Sequence, residues 1–328
     1  MSSLAPTLEA FFTVRLTSHY GVSPHTVAAY RDTFKLLLAY TQQTTGTPPA
    51  GLDIGQLEAN LITGFLNYLE HDRGNTVRTR NARLAAVHSF ATYATYRHPE
   101  HAAALSQVLA IPRKRQHQPE ITFLTKDEVQ ALLAAPDPGT AIGRRDRALI
   151  LVAVTTGLRV AELAALTSAD IHLGAGAHVT CHGKGRKDRT TPLTRETVRL
   201  LKENGADPAA QGTFVFSTRA GDQLSRDAIA ARLSLHVTTA ARTCPSLRTK
   251  KVTPHILRHT AAMRLLEAGI DVAMIAIWLG HASINSTQPY LHANMKMKED
   301  ALKRTTPPNV AAGRYQASDK LLEFLNGL

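Results

Sequence analysis

The chain has 328 residues, 44% of them apolar, with a formal charge of +12 and a pI near 9.9. That length accommodates two domains, and the apolar fraction with charges of both signs excludes a wholly disordered chain. The basic excess favours a polyanionic partner, nucleic acid or an acidic membrane face, and it is uneven: residues 122–328 hold 27 Lys/Arg against 18 Asp/Glu.

Two cysteines, Cys181 and Cys244, define no metal or disulfide framework, so a reducing cytoplasm is the expected compartment. The start "MSSLAPTLEAFF" lacks the pattern of a signal peptide, and the longest apolar run, "RALILVAVTTGL", is too short to span a bilayer; no membrane association is expected.

Taken in chain order, the first part reads as helices. "SPHTVAAYRDTFKLLLAYTQQ" opens with an N-cap serine and Pro24 at the first helical position, then places Val27, Tyr30, Phe34, Leu37 and Leu38 at helical spacing. "DIGQLEANLITGFLNYLEHD" predicts a second helix or helix pair. "NTVRTRNARLAAVHSFATYATY" predicts a third, with Arg78, Arg80 and Arg83 crowded into its first half, and "PEHAAALSQVLAI" follows. The stretch "PRKRQHQPEITFLT" has prolines, three adjacent cations and no helical period, and reads as a linker.

Beyond it, Thr125 three residues before Glu128 forms a capping-box signature. "RRDRALILVAVTTGLRVAELAAL" predicts a buried helix, a Thr-Thr-Gly break and a second helix start. "HVTCHGKGRKDRTTPL" sets β-formers on both sides of a Gly-rich basic turn, which predicts a hairpin. Helices return at "RETVRLLKEN", "RDAIAARLSLHVTTAAR", "PHILRHTAAMRLLEAG" and "DVAMIAIWLGH". The terminal "SDKLLEFLNGL" carries Leu321, Phe324, Leu325 and Leu328 on one side of an expected helix.

Several polar residues sit where local patterning does not call for them. Arg159 falls at a helix N-terminus, where the dipole disfavours a cation unless an anion joins it there. Thr253 as N-cap and Pro254 after it put His255 and Arg258 in one first turn, on one face. His255 and His259 are four residues apart, a metal-chelating spacing, but no acidic partner accompanies them, and no metal or other cofactor is expected. Lys184 occupies the hairpin turn, His281 follows a helix end, and Tyr290 lies beyond it. Two arginines, a lysine, histidines and a tyrosine without clustered acidic ligands suit attack by a tyrosine on a phosphodiester. Arginines bind the non-bridging oxygens, and the departing alkoxide needs an acid.

The ordered segments "SPHTVAAYRDTFKLLL", "TTGLRVAELAAL", "GKGRKDRTTPL", "HILRHTAA" and "LGHASINSTQPYLH" resemble the tyrosine recombinases: phage integrases, Xer-type resolvases and transposon-borne integrases. The resemblance implies a mainly α fold with a small β-sheet, built as an N-terminal SAM-like helical core-binding domain (residues 1–112), a linker (113–121), an α+β catalytic domain (122–305) and a C-terminal tail with a docking helix (306–328). It implies Arg159 and Arg258 as the catalytic arginines, Lys184 as general acid, His255 and His281 as assisting histidines and Tyr290 as nucleophile. Glu162 would orient them.

Lys187 is a second cation three residues past Lys184, and Tyr315 a second tyrosine. Pro289 biases Gln288 away from helix just before Tyr290. His259 is expected to be structural. Double-stranded DNA with specific sites is the implied partner, contacted by Arg78, Arg80, Arg83 and Lys187, with a dimer on each site and a tetramer in synapsis joined through the C-terminal helix. The motifs do not separate integration, excision or transposition of a mobile element from Xer-like resolution of multimers. A non-catalytic architectural protein and a type IB topoisomerase are the readings from further away.

Overall fold

The computed structural model describes residues 3–115, 121–182, 188–206, 210, 212–281, 287 and 290. The chain divides into two compact units, Met1–Gln118 and Pro119–Leu328. The expected fold class is observed, mostly helix with one small sheet. Among the described residues, no helix is long and apolar enough to cross a membrane.

The first unit begins with α1 (Leu4–Ala10), which runs into a nine-residue π-helical stretch, Phe11–His19; the sequence assigned neither. Helix α2 (Pro24–Thr45) starts as expected, with the Ser23 hydroxyl accepting from the Thr26 amide and Pro24 at the first position; Gly46 ends it in the left-handed region. The undecided second segment resolves into a short 3-10 turn at Ile54–Gln56 and then α3 (Ala59–His71). Thr76 caps α4 (Val77–Arg97), and α5 (Ala102–Leu109) packs against it. The core is aromatic at its centre. Phe11, Phe34 and Phe90 meet edge to face, with ring centroids 5.2–6.2 Å apart.

The second unit opens with α6 (Lys126–Ala134), whose Thr125–Glu128 capping box is formed on both sides. The Glu128 carboxylate also receives Lys250 and Ser246, so this buried acid is fully partnered and pins the helix start to a distant loop. Helix α7 (Ala141–Thr156) is buried on nearly every side and lies against α11 (Pro254–Glu267). Asp146 on α7 is held by Arg145, Arg232 and His236, the last two from α10 (Arg226–Ala240).

After α8 (Val160–Ala165) comes an antiparallel sheet of β1 (Ile171–His172), β2 (His178–His182) and β3 (Asp188–Pro192), in that order, with Cys181 opposite Arg189. The hairpin β2–β3 was expected. The two-residue β1 was not, because so short a strand carries no period. Helices α9 (Arg195–Glu203) and α12 (Val272–Leu279) complete the described elements. The expected C-terminal helix and the tail, residues 306–328, lie outside the described residues.

Candidate active site

Two helix ends build the site. Helix α7 stops at Gly157, φ 67°, and α12 stops at Gly280, φ 64°, both in the left-handed conformation that glycine adopts without steric cost. Glycine is needed at position 157 for space as well. A Cβ there would sit 2.5 Å from Leu279 Cδ2 and 3.2 Å from Ala261 Cβ. A helix C-terminus presents carbonyls with no partner in the helix and the negative end of its dipole, so a cation is drawn to it.

Arg258 answers that demand from α11. It is only 3% exposed, and its guanidinium donates to the carbonyl of Gly157 at 2.7 Å and to that of Leu279 at 2.7 Å. Thr253 and Pro254 start α11 as the sequence predicts, which fixes where Arg258 projects. Arg159 sits just before α8 and reaches the same α12 end from the other side, donating to the Gly280 carbonyl at 3.0 Å. Both arginines are thus seated on consecutive terminal carbonyls of one helix.

Glu162 adds a second hold on Arg159. One carboxylate oxygen accepts from the Arg159 backbone amide at 2.7 Å, and the other from its guanidinium at 2.9 Å. Each of these oxygens also receives a hydrogen bond from Arg189 on β3, at 2.6 and 3.0 Å. Burial raises the carboxyl, but the bonds from Arg189 and Arg159 overcome it and hold Glu162 at about 2. The Arg258 guanidinium is pushed down to about 10, first by burial and then by the like charge of Arg159, with Arg189 adding to it. Two guanidinium groups, those of Arg159 and Arg189, therefore share one carboxylate, and the Arg258 charge is added beside them. The excess positive charge, with Arg159 still 43% exposed, faces outward as a ready place for an anion.

Tyr290 is built into a different environment. It is 3% exposed and packs with Ala262, Met263, Leu266, Ile275 and Leu279. Its hydroxyl lies 2.9 Å from His259 Nδ1. Burial raises the phenol, while the Arg258 charge pulls it the other way, so the tyrosine lies within the field of Arg258. His259 is pushed down to about 4 by burial and by the neighbouring His255 and Arg258, and is neutral at pH 7.

His259 was expected to be structural. It is the histidine whose ring meets the tyrosine hydroxyl. His255 is exposed and stacks edge-on against His259, with ring centroids 4.2 Å apart. The i, i+4 spacing of the two brings their rings into contact. His281 follows Gly280, hydrogen-bonds the Thr287 hydroxyl at 2.7 Å, and is pushed down to about 4 by burial and the charges of Arg258 and Arg159.

Lys184 and Lys187, in the hairpin turn, lie outside the described residues. In the first unit, Arg78 is exposed and open to a ligand. Arg80 is not a surface contact: it is 5% exposed and donates to the Pro112 carbonyl and the Asn81 side chain, with Glu70 3.9 Å away. Its place on the inward side of α4 gives its charge a structural task. Arg83 is half-buried; burial and the neighbouring Arg73 lower its pKa. Arg189 was missed in the sequence.

Residues 122–297 match the family model described as "Phage integrase family", and residues 10–98 match "Phage integrase, N-terminal SAM-like domain". A putative integrase/recombinase, y4rC, of Sinorhizobium fredii is 47% identical, covering 100% of this chain and 99% of its own. The tyrosine recombinase XerC of Pelobacter propionicus is 33% identical over 87% of this chain and 90% of its own length. Among solved structures, the Tn1549 transposon integrase in complex with transposon right end DNA superposes with a TM-score of 0.68 at 16% identity, covering 90% of this chain and 98% of that one.

Proposed function

The chain belongs to the phage integrase family of tyrosine recombinases and is a site-specific DNA recombinase; from that premise we propose which of its residues carry the reaction and what the reaction serves. Arg159 and Arg258 bind the non-bridging oxygens of the scissile phosphate and hold them more tightly as charge grows in the transition state. The Tyr290 oxygen attacks phosphorus, the bond from phosphorus to the 5′ oxygen breaks, and a 3′-phosphotyrosine results. His255 assists removal of the tyrosine proton, Lys184 donates a proton to the leaving 5′ oxygen, and His281 supports the phosphate. Glu162 orients Arg159. Because the phosphotyrosine keeps the energy of the broken linkage, a free 5′ hydroxyl can reverse the step on a new partner strand without a nucleotide cofactor.

The observation that carries this reading is the seating of Arg159 and Arg258 on adjacent carbonyls of the α12 terminus, with uncompensated positive charge beside a buried tyrosine. In this reading residues 1–112 and 122–305 both contact the duplex, with Arg78, Arg83 and Lys187 on the phosphates. Residues 306–328 then join neighbouring protomers, two on each site and four in the synapse. The work is done on cytoplasmic DNA, integrating, excising or transposing a mobile element, a role favoured by the 47% identity to an integrase/recombinase. Resolution of chromosome or plasmid multimers is the second reading, favoured by the likeness to XerC.

The test is covalent capture. Nicked duplexes from a randomised pool, offered to the full chain, should yield a denaturant-stable protein–DNA adduct that Tyr290→Phe abolishes. An adduct of undiminished yield in that variant would overturn the assignment.

A further inference from the structure

Among the described residues, the Arg189–Glu162 pair is a strong charge interaction of the site that the roles above leave unused. Arg189 lies on β3 opposite Cys181, is 10% exposed, and meets Glu162 through two parallel hydrogen bonds of 3.0 and 2.6 Å. The same two carboxylate oxygens hold the backbone amide and guanidinium of Arg159. Its side chain also lies along the end of α12, so close that a Cβ on Gly280 would come 2.9 Å from its Nη1. Gly280 is the residue whose carbonyl receives Arg159.

Consider the charge balance at Arg159. A carboxylate paired to a single arginine neutralises it, and a neutralised arginine has little left to offer a phosphate. A second guanidinium on the same carboxylate changes this. Glu162 can then fix the Arg159 orientation through geometry while its negative charge is offset by Arg189. Arg159 keeps its positive charge for the substrate. The fork-to-carboxylate geometry needs an arginine rather than a lysine, whose single ammonium cannot bond both oxygens in parallel.

We propose that Arg189 is a positioning residue of the recombinase: through Glu162 it orients Arg159 and keeps the Arg159 charge available to the scissile phosphate. This rests on the reading of Arg159 as a phosphate ligand. It makes no contact with the reacting atoms itself, and its effect is confined to the charge of the phosphate rather than the leaving group.

Three linkages at the scissile position separate the possibilities, placed in nicked duplexes first selected by covalent capture on the wild-type chain. These are the ordinary phosphodiester, a neutral methylphosphonate, and a phosphodiester with sulfur at the bridging 5′ position, whose thiolate departs without an acid. On the ordinary linkage, Arg189→Gln should slow adduct formation about 100-fold, the scale of a displaced catalytic group, with duplex affinity little changed. Arg189→Lys should fall between that variant and wild type. The deficit relative to wild type should shrink to under about tenfold on the methylphosphonate, which has one less charge to stabilise, and should persist on the bridging sulfur.

An equal deficit on all three linkages would make Arg189 merely structural and overturn the proposal. So would recovery on the bridging sulfur, which would place its action on the leaving group. Circular dichroism checks folding; where Arg189→Gln unfolds, Arg189→Lys carries the same three-way comparison. Absence of any wild-type adduct would instead remove the reading of the site on which the proposal stands.

Discussion

The arginine corner and the tyrosine hold meet at the adjacent Arg258 and His259 of α11, and they are stabilised by opposite means. Arg159, Arg258 and Arg189 are fixed by charge-assisted hydrogen bonds to helix-end carbonyls and one shared carboxylate. Tyr290 is fixed by apolar packing and a side-chain hydrogen bond to a neutral imidazole. The first arrangement is complete before any ligand arrives and leaves charge unspent. The second covers the group that has to react, so it must be loosened when the tyrosine meets a phosphate. Preorganised charge and a releasable nucleophile divide the work between them.

Removing a corner arginine should break the contrast most severely. Arg258→Ala leaves the Gly157 and Leu279 carbonyls without their donor. It should cost about 3 kcal/mol of stability by thermal unfolding and roughly 10³-fold in single-turnover adduct formation.

Acid separates the two regions. His259 and His281 lie at about 4 in the folded chain against 6.5 ordinarily, so as pH falls the unfolded chain takes up those protons first. The stability tied to the tyrosine hold is therefore full above pH 6.5 and is lost between 6.5 and about 4. Glu162 lies at about 2 against 4.5, so the corner keeps its contribution above pH 4.5 and loses it between 4.5 and about 2. That contribution is about 3 kcal/mol. Accessibility of Tyr290 to nitration should rise in the upper window while the Arg189–Glu162 pair stays intact. A single coincident transition would merge the two regions into one.

The two helix-ending glycines test the corner in different ways. Gly157→Ala meets Leu279 and Ala261 in the core and should lower stability by about 2 kcal/mol. Gly280→Ala meets the movable end of Arg189 and should reduce the adduct rate more than it reduces the melting temperature. His259→Phe should have the smallest effect. It strips the Tyr290 hydroxyl of its partner at a cost of about 1 kcal/mol, seen as faster nitration of Tyr290 with the arginine corner unchanged.

Much of the fold was legible because its signals are local. Ser23, Thr125 and Thr253 cap the helices that their positions predict, and the hairpin follows from β-formers flanking a basic turn. The arginine pair was legible because each breaks a local rule, a cation placed at a helix start. What stayed hidden depends on tertiary contact. The carbonyls of Gly157, Leu279 and Gly280 exist as ligands only once α7, α11 and α12 meet. Arg189 alternates on the same strand face as the buried Thr191, so a cation on a buried face, with an unmatched acid at Glu162, was the readable hint. His259 looked structural because its partner is 31 residues away. The buried Arg80 shows the converse error, since a crowd of arginines on one helix does not reveal which of them faces inward.

The most direct test of the account is the identity of the residue that carries the DNA. The captured adduct, trimmed with nuclease and digested with trypsin, can be read by tandem mass spectrometry. The expected product is a nucleotide joined through its 3′ phosphate to Tyr290. A 3′ phosphate on any other side chain, Tyr315 included, or a linkage through the 5′ phosphate, would contradict it.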